Sequence, residues 1–203
     1  IRGHASDYDS WRQQGNMGWG YEDVLPYFKK SMNQERGEDD YHGVGGPLNV
    51  KDGNSKMSIH RKFIDAGVEA GYPFNPDFNG AEQEGVGPIQ LTKIGNKRCS
   101  AARGYLTPIM ARNNLTIATA ARLTRIVLKD GRATGVEYLH KGEVKKANAS
   151  REVLLCAGAV QSPQLLKLSG IGNAEELEFH GIDCLHDLPG VGENLQDHLD
   201  VVV

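Results

Sequence analysis

The stretch EVLLCAGAVQSPQLLKLSGIG, residues 152–172, decides the fold that we predict for this chain. Its first eight residues, 152–159, form an apolar run without alternation, which is typical of a strand buried on both faces of a parallel sheet. Ser162 can then cap a helix with Pro163 at its first position, and Gly170 can end that helix. A buried strand, a glycine and a helix N-terminus are the local shape of a nucleotide-binding edge in an α/β sheet.

Upstream of this stretch, four short alternating segments predict an antiparallel β-meander. They are LTIAT, LTRIVL, ATGVEYL and EVKKANA, within residues 115–149. Asp130 and Gly131 form a strong hairpin signal between the second and third segments, and Gly142 marks the next turn. The fold class expected from both regions is α/β, in a mixed α+β form.

The first half of the chain predicts two helices, a short strand and an irregular loop. One helix runs from Tyr21 to about residue 32, and the other is capped by Ser58 and stopped by Gly71. The glycine turn in YHGVGGPLNV, residues 41–50, leads into the strand. The loop YPFNPDFNG, residues 72–80, is aromatic-rich and suits either the lining of a pocket or packing.

Composition excludes several classes of function. The chain has 203 residues, 22.2 kDa and a net charge of −3, with basic residues scattered, so no nucleic-acid partner is expected. Three cysteines show no CxxC and no metal spacing, and Cys156 is expected to be a small buried hydrophobe. The apolar runs are too short to span a membrane. A cytoplasmic location is expected, with membrane association of the parent protein left open.

The usual catalytic and metal-binding motifs are missing from the sequence. It contains no HExxH, no GxSxG and no GxxxxGK[ST]. Gly170/Gly172 and Gly190/Gly192 each match the first two glycines of the dinucleotide-binding motif GxGxxG, but the third glycine is missing in both. Each of the seven histidines is expected to lie at the surface or at the edge of a core. From its residues alone, the chain is therefore a mixed α/β piece with one nucleotide-like edge, without a predicted catalytic residue or metal ligand.

The segment GAVQSPQLLKLSGIG, residues 158–172, resembles the second signature of the glucose–methanol–choline (GMC) family of flavin oxidoreductases. Three more segments fit the order of the family: IRGHASDYDSW at the start, RCSAARGYLTPIMARNNLTI, and DLPGVGENLQDHL near the end. The resemblance covers nearly the whole chain. The choline dehydrogenase and bacterial FAD-dependent alcohol dehydrogenase branch looks nearest, and the chain resembles an internal fragment of such an enzyme.

The resemblance implies FAD as the cofactor and assigns three residues to it. Leu123 matches the position whose backbone meets the adenine, and Ala157 and Gly158 end the strand beside the cofactor. The implied organisation is a linking segment (1–40), a substrate-domain portion (41–112), an FAD-domain portion with meander, buried strand and capped helix (113–172), and a return towards the substrate domain (173–203).

The implied activity of the parent is oxidation of a primary alcohol, choline-like or aliphatic, to an aldehyde by hydride transfer to flavin N5. The electron acceptor would be quinone-like or oxygen, and the oligomeric state stays open. The family's catalytic histidine falls outside this sequence, and His198 has a positional role in the return segment. The isolated chain is therefore expected to be inactive and not to retain FAD. An oxidase or lyase of other specificity and a non-catalytic truncated fragment are the alternatives.

Overall fold

The computed structural model describes residues 1–53, 57–197 and 199, and it confirms the mixed α/β class. His198 lies outside the described residues. Two units divide the chain, Ile1–Leu115 and Thr116–Val203. The first contains α1 (Ala5–Gln13), α2 (Tyr21–Ser31), β1 (Met32–Gln34), β2 (Leu48–Asp52), α3 (Ser58–Glu69), β3 (Gln90–Ile94) and β4 (Lys97–Arg98). The second contains β5 (Ala121–Lys129), β6 (Arg132–His140), β7 (Glu143–Asn148), α4 (Gln161–Leu168), β8 (Ile171–Gly172), α5 (Ala174–Phe179) and β9 (His186–Asp187).

A four-stranded sheet in the order β1-β2-β3-β4 organises the first unit. The predicted helix after residue 20 is confirmed as α2, which leads directly into β1. Strands β1 and β2 are parallel, with Met32 opposite Leu48, and β3 is antiparallel to β2. Met32, Val50 and Cys99 are buried at this sheet. A turn of π-helix (Ala102–Leu106) and a 3₁₀ turn (Thr107–Ile109) follow it.

Helix α3 is confirmed, but its start and its apolar face differ from the prediction. Met57, not Ser58, is the N-cap residue, and its side chain makes no capping hydrogen bond. Ile59 and Phe63 are 58% and 60% exposed, although their spacing predicts a buried face. Helical periodicity shows which side of a helix is apolar, but burial also requires a neighbouring surface that covers it.

The meander of the second unit is confirmed for three of its four predicted strands. These pair in the order β5-β6-β7, whereas residues 115–119 form no strand. Asp130 and Gly131 have φ of 52° and 74°, and Lys141 and Gly142 have φ of 54° and 82°. Positive φ at both central residues defines the two-residue turns whose twist matches that of the flanking strands. Local turn chemistry therefore determines the register of this sheet.

The buried strand predicted at residues 152–159 is not present in this structure. The segment has no strand assignment, Leu154 is 76% exposed, and Cys156, expected to be buried, is exposed. A central strand needs hydrogen-bonding strands on both edges. No strand among the described residues pairs with this segment, so its apolar side chains are left in contact with solvent.

The helix that follows is confirmed as α4, with a different start. Its N-cap is Val160, which places Ser162 and Pro163 inside the first turn. Proline is tolerated there because the first-turn N–H groups have no partner within the helix. Gly170, with φ of 82°, follows the helix as predicted. Helix α5 begins after Asn173, whose side chain accepts a hydrogen bond from the Glu176 N–H.

A cluster of charges spans the three strands of the meander. Glu137 on β6 accepts hydrogen bonds from Arg125 of β5 at 2.6 and 3.1 Å, and lies 2.8 Å from the Lys146 ammonium of β7. Hydrogen bonds from Arg125 and then Lys146 lower the pKa of Glu137 from 4.5 to about 2. Because both cations are largely exposed, water screens these pairs and limits their contribution to stability.

We predict that Arg125→Gln will raise the pKa of Glu137 towards its ordinary value of 4.5, because the strongest donor to its carboxylate is lost. Carboxyl NMR titration of this residue is the measurement. In the unaltered chain, the stabilisation from the carboxylate is present above the unfolded-state pKa and is lost as the pH falls towards 2. Arg122→Gln, on the same strand, is the control and should leave the pKa of Glu137 unchanged. If the pKa of Glu137 is unchanged in Arg125→Gln, Arg125 is not the main cause of the lowered pKa.

Candidate cofactor site

Two of the three predicted cofactor residues, Ala157 and Gly158, lie shortly before α4 and are both hydrogen-bonded to one residue, Ser162. The Ala157 N–H donates to Ser162 Oγ at 3.1 Å, and the Ser162 N–H donates to the Gly158 carbonyl at 3.0 Å. Ser162 therefore does not cap the helix as predicted. It fastens the chain ahead of the helix to the first turn, and so fixes where the backbone of these two residues lies.

Gly158 leaves open space where a side chain would begin. It is exposed with φ of 93°, and within the described parts of the chain no atom lies within 4 Å of the position that a Cβ would take. A side chain here would strain the backbone and fill that space. The N–H groups at the start of α4 also favour anionic groups. An open, glycine-formed cradle at a helix N-terminus fits the close approach of a dinucleotide.

The third predicted residue, Leu123, lies on β5. It is half-buried and opposite Tyr138, next to a register irregularity at Thr124, whose hydroxyl donates to the Glu137 carbonyl at 3.0 Å. Because β5 is an edge of its sheet, one side of its backbone has no neighbouring strand within residues 116–197. Helix α4 covers part of that edge, where Ser169 accepts the Ile126 N–H. The contact of Leu123 with adenine stays a prediction.

Ser169 joins the two parts of the candidate site, and the sequence analysis missed this role. The residue is 5% exposed; its Oγ accepts a hydrogen bond from the Ile126 N–H of β5 at 2.8 Å and donates to the Leu165 carbonyl of α4 at 2.5 Å. Helix α4 thereby packs along the edge of the strand that carries Leu123. In the sequence, Ser169 is only a serine before the helix-ending Gly170, and a serine at that position is common and does not indicate a bond to a distant strand.

A large cavity lies in the first unit and contains none of the predicted cofactor residues. It measures about 1210 Å³, between α3 and the sheet, and its apolar wall includes Phe63, Val68, Phe74 and Leu91. Across the ranges 1–53 and 57–197, no group of three acidic, histidine or cysteine side chains is placed to hold a metal ion. No described helix has both the length and the apolar character that a bilayer span requires.

Comparison with known proteins gives a family match over almost the whole chain. The family model described as GMC oxidoreductase matches residues 1–200. Human mitochondrial choline dehydrogenase is 46% identical over 203 residues, which are all of this chain and 34% of that protein. The oxygen-dependent choline dehydrogenase of Chromohalobacter salexigens is 51% identical, covering all of this chain and 37% of that protein.

A solved structure agrees in fold as well as in sequence. An FAD-dependent oxidoreductase from Chaetomium thermophilum superposes with a TM-score of 0.89 and 31% identity, covering 97% of this chain and 37% of that one. The chain therefore spans about a third of the length of the relatives that it matches.

We predict that Ser169→Ala will lower the free energy of unfolding of the second unit by about 1–3 kcal/mol, because the buried Ile126 N–H loses its acceptor. Urea unfolding of the chain, followed by far-UV circular dichroism, measures this loss. Ser150→Ala, at an exposed position of the same unit, is the matched control, with a change within about 0.5 kcal/mol. Equal effects of the two substitutions would show that the Ser169 bond does not hold α4 to β5.

Proposed function

The chain belongs to the GMC oxidoreductase family, and on this premise we propose that its parent protein is an FAD-dependent alcohol dehydrogenase. The substrate class that we propose is a primary alcohol, choline-like or aliphatic, and the product is the aldehyde. Sequence identity of 46–51% to choline dehydrogenases over the whole chain supports this choice. The chain contributes to cofactor binding and to the substrate domain, while the catalytic base is expected outside residues 1–203.

The observation that carries the proposal is the fastening of Ala157 and Gly158 by Ser162. It presents two small residues at the start of a helix, with open space on the outer side of Gly158. We assign these residues to the flavin cofactor, with the Leu123 backbone on the adenine. FAD, when bound, would take a hydride at its N5 from the alcohol carbon. The residues of this chain would hold the cofactor and orient it.

The electron acceptor has two candidates, a quinone-like molecule and oxygen. The name of the bacterial relative, oxygen-dependent choline dehydrogenase, favours oxygen as an acceptor for that protein. An oxidase is therefore the second candidate for the parent of this chain. Oxygen uptake, compared with dye reduction by the full-length protein, separates the two activities.

We predict that Gly158→Ala in the full-length protein will weaken FAD binding about tenfold or more, because a Cβ strains the backbone and intrudes on the cradle. Flavin absorbance per mole of polypeptide, measured during titration of the apoprotein with FAD, gives the affinity. Gly142→Ala is a matched control, since Gly142 also has positive φ and open surroundings but lies in the β6–β7 turn.

The control should lose stability through the same backbone strain and yet keep its FAD affinity. If Gly158→Ala binds FAD as tightly as Gly142→Ala does, the assignment of Gly158 to the cofactor is wrong.

A further inference from the structure

A buried histidine in the first unit lies between two carboxylates. His42 is 1% exposed, and its Nδ1 lies 2.8 and 3.0 Å from the two carboxylate oxygens of Asp39. Its Nε2 lies 3.3 Å from Asp77 Oδ2, yet has no hydrogen-bond partner among the described residues. Neither the histidine nor the two carboxylates belong to the cofactor site proposed above.

The Asp39 carboxylate determines that the Nδ1 atom of His42 is protonated. An ionised carboxylate can only accept hydrogen bonds, so Nδ1 carries a hydrogen that it donates to Asp39. In the neutral ring, Nε2 is then a bare acceptor that faces a second acceptor on Asp77. A second proton turns this contact into an ion pair. Because the ring is buried, water cannot replace the missing donor in the neutral form.

The Asp39 side of the ring stays anionic. Burial raises the pKa of Asp39, but hydrogen bonds from the Tyr41 N–H, the His42 ring and the His42 N–H outweigh burial and hold the pKa below its ordinary value. The Lys29 ammonium adds a donor at 2.7 Å to the Asp39 carbonyl and lies 3.7 Å from Glu38. The Asp39 carboxylate is therefore ionised throughout the pH range in which an imidazole titrates.

The Asp77 side carries cations as well. Arg36 Nη1 lies 3.9 Å from Asp77 Oδ2, and its other terminal nitrogen is 2.7 Å from Asp52. The Arg2 guanidinium adds an attraction to Asp77. These cations lie beside Asp77, but they do not fill the gap between its Oδ2 and the histidine ring.

Asp77 holds the loop that the sequence analysis singled out as aromatic-rich. Its Oδ1 accepts the Asn79 N–H at 3.0 Å, and its carbonyl accepts the Gly80 N–H at 3.2 Å. Asn79 Oδ1 in turn accepts the Arg2 N–H at 2.8 Å. Asn79, Gly80 and Arg2 line a small cavity of about 210 Å³. The position of Asp77 thus determines one wall of that cavity.

We propose that Asp39, His42 and Asp77 form a proton-operated latch. It holds residues 75–80 closed when the imidazole carries both ring protons, and it releases them when Nε2 is bare. The latch is closed at low pH, where the second ring proton is present, and weakens as the pH rises and that proton is lost. This device is independent of the proposed function.

Hydrogen exchange of the full-length protein, read by mass spectrometry at about pH 5.5 and about pH 8, tests the latch. The amides of Asp77, Asn79 and Gly80 are bonded within the loop and report its opening. After correction for intrinsic exchange rates, we expect their protection to be about fivefold higher at the lower pH, the effect of roughly one hydrogen bond.

Two variants and a control assign the effect to the latch. In Asp77→Asn the amide can donate to the bare Nε2, so protection should be high at both pH values. In His42→Gln the ring is absent and the pH dependence should vanish. His60→Gln, on the exposed surface of α3, should leave the pH dependence unchanged. Equal protection of the unaltered protein at both pH values, or a pH dependence that persists in Asp77→Asn, overturns the proposal.

Discussion

A β-strand is stable inside a protein only if its backbone N–H and C=O groups have partners, and this constraint governs the second unit. Residues 152–157 have the composition of a central strand, but no described strand pairs with them. Hydrogen bonds to serines hold the end of this segment instead. Ser162 accepts the Ala157 N–H at its Oγ and donates its own N–H to the Gly158 carbonyl. Ser169 Oγ accepts the Ile126 N–H at the edge of β5. Hydrogen bonds of two serines, rather than a sheet, locate the candidate site.

This arrangement agrees with a chain that spans about a third of its relatives. We infer that polypeptide outside this chain supplies the strands beside residues 152–157 in the parent protein, where the apolar side chains would be buried. The apolar face of α3 is exposed in the same way, and burial of Ile59 and Phe63 against a neighbouring surface would stabilise the protein. The cradle at Gly158 that we propose for the cofactor, by contrast, is formed by local hydrogen bonds to Ser162.

The turns and helices that depend on neighbouring residues in the chain could be predicted from the sequence. Asp130-Gly131 specifies a turn by its own backbone preferences, and α2 and α4 follow from periodicity and helix-ending signals. Predictions that depended on distant partners were wrong, as for the strand at residues 152–159 and the buried Cys156. The His42 cluster was invisible because Asp77 lies thirty-five residues beyond His42 and no spacing rule links them.

The most direct measurement is hydrogen exchange of residues 152–157 in two samples, the 203-residue chain alone and the full-length flavoprotein. If these residues are a strand of the cofactor domain that lacks its neighbours here, their amides exchange at nearly intrinsic rates in the chain alone. In the flavoprotein they should be among the most protected, by about a thousandfold or more. Fast exchange in both samples would contradict the account, because the segment would then be a surface loop and Gly158 would not end a strand beside the cofactor.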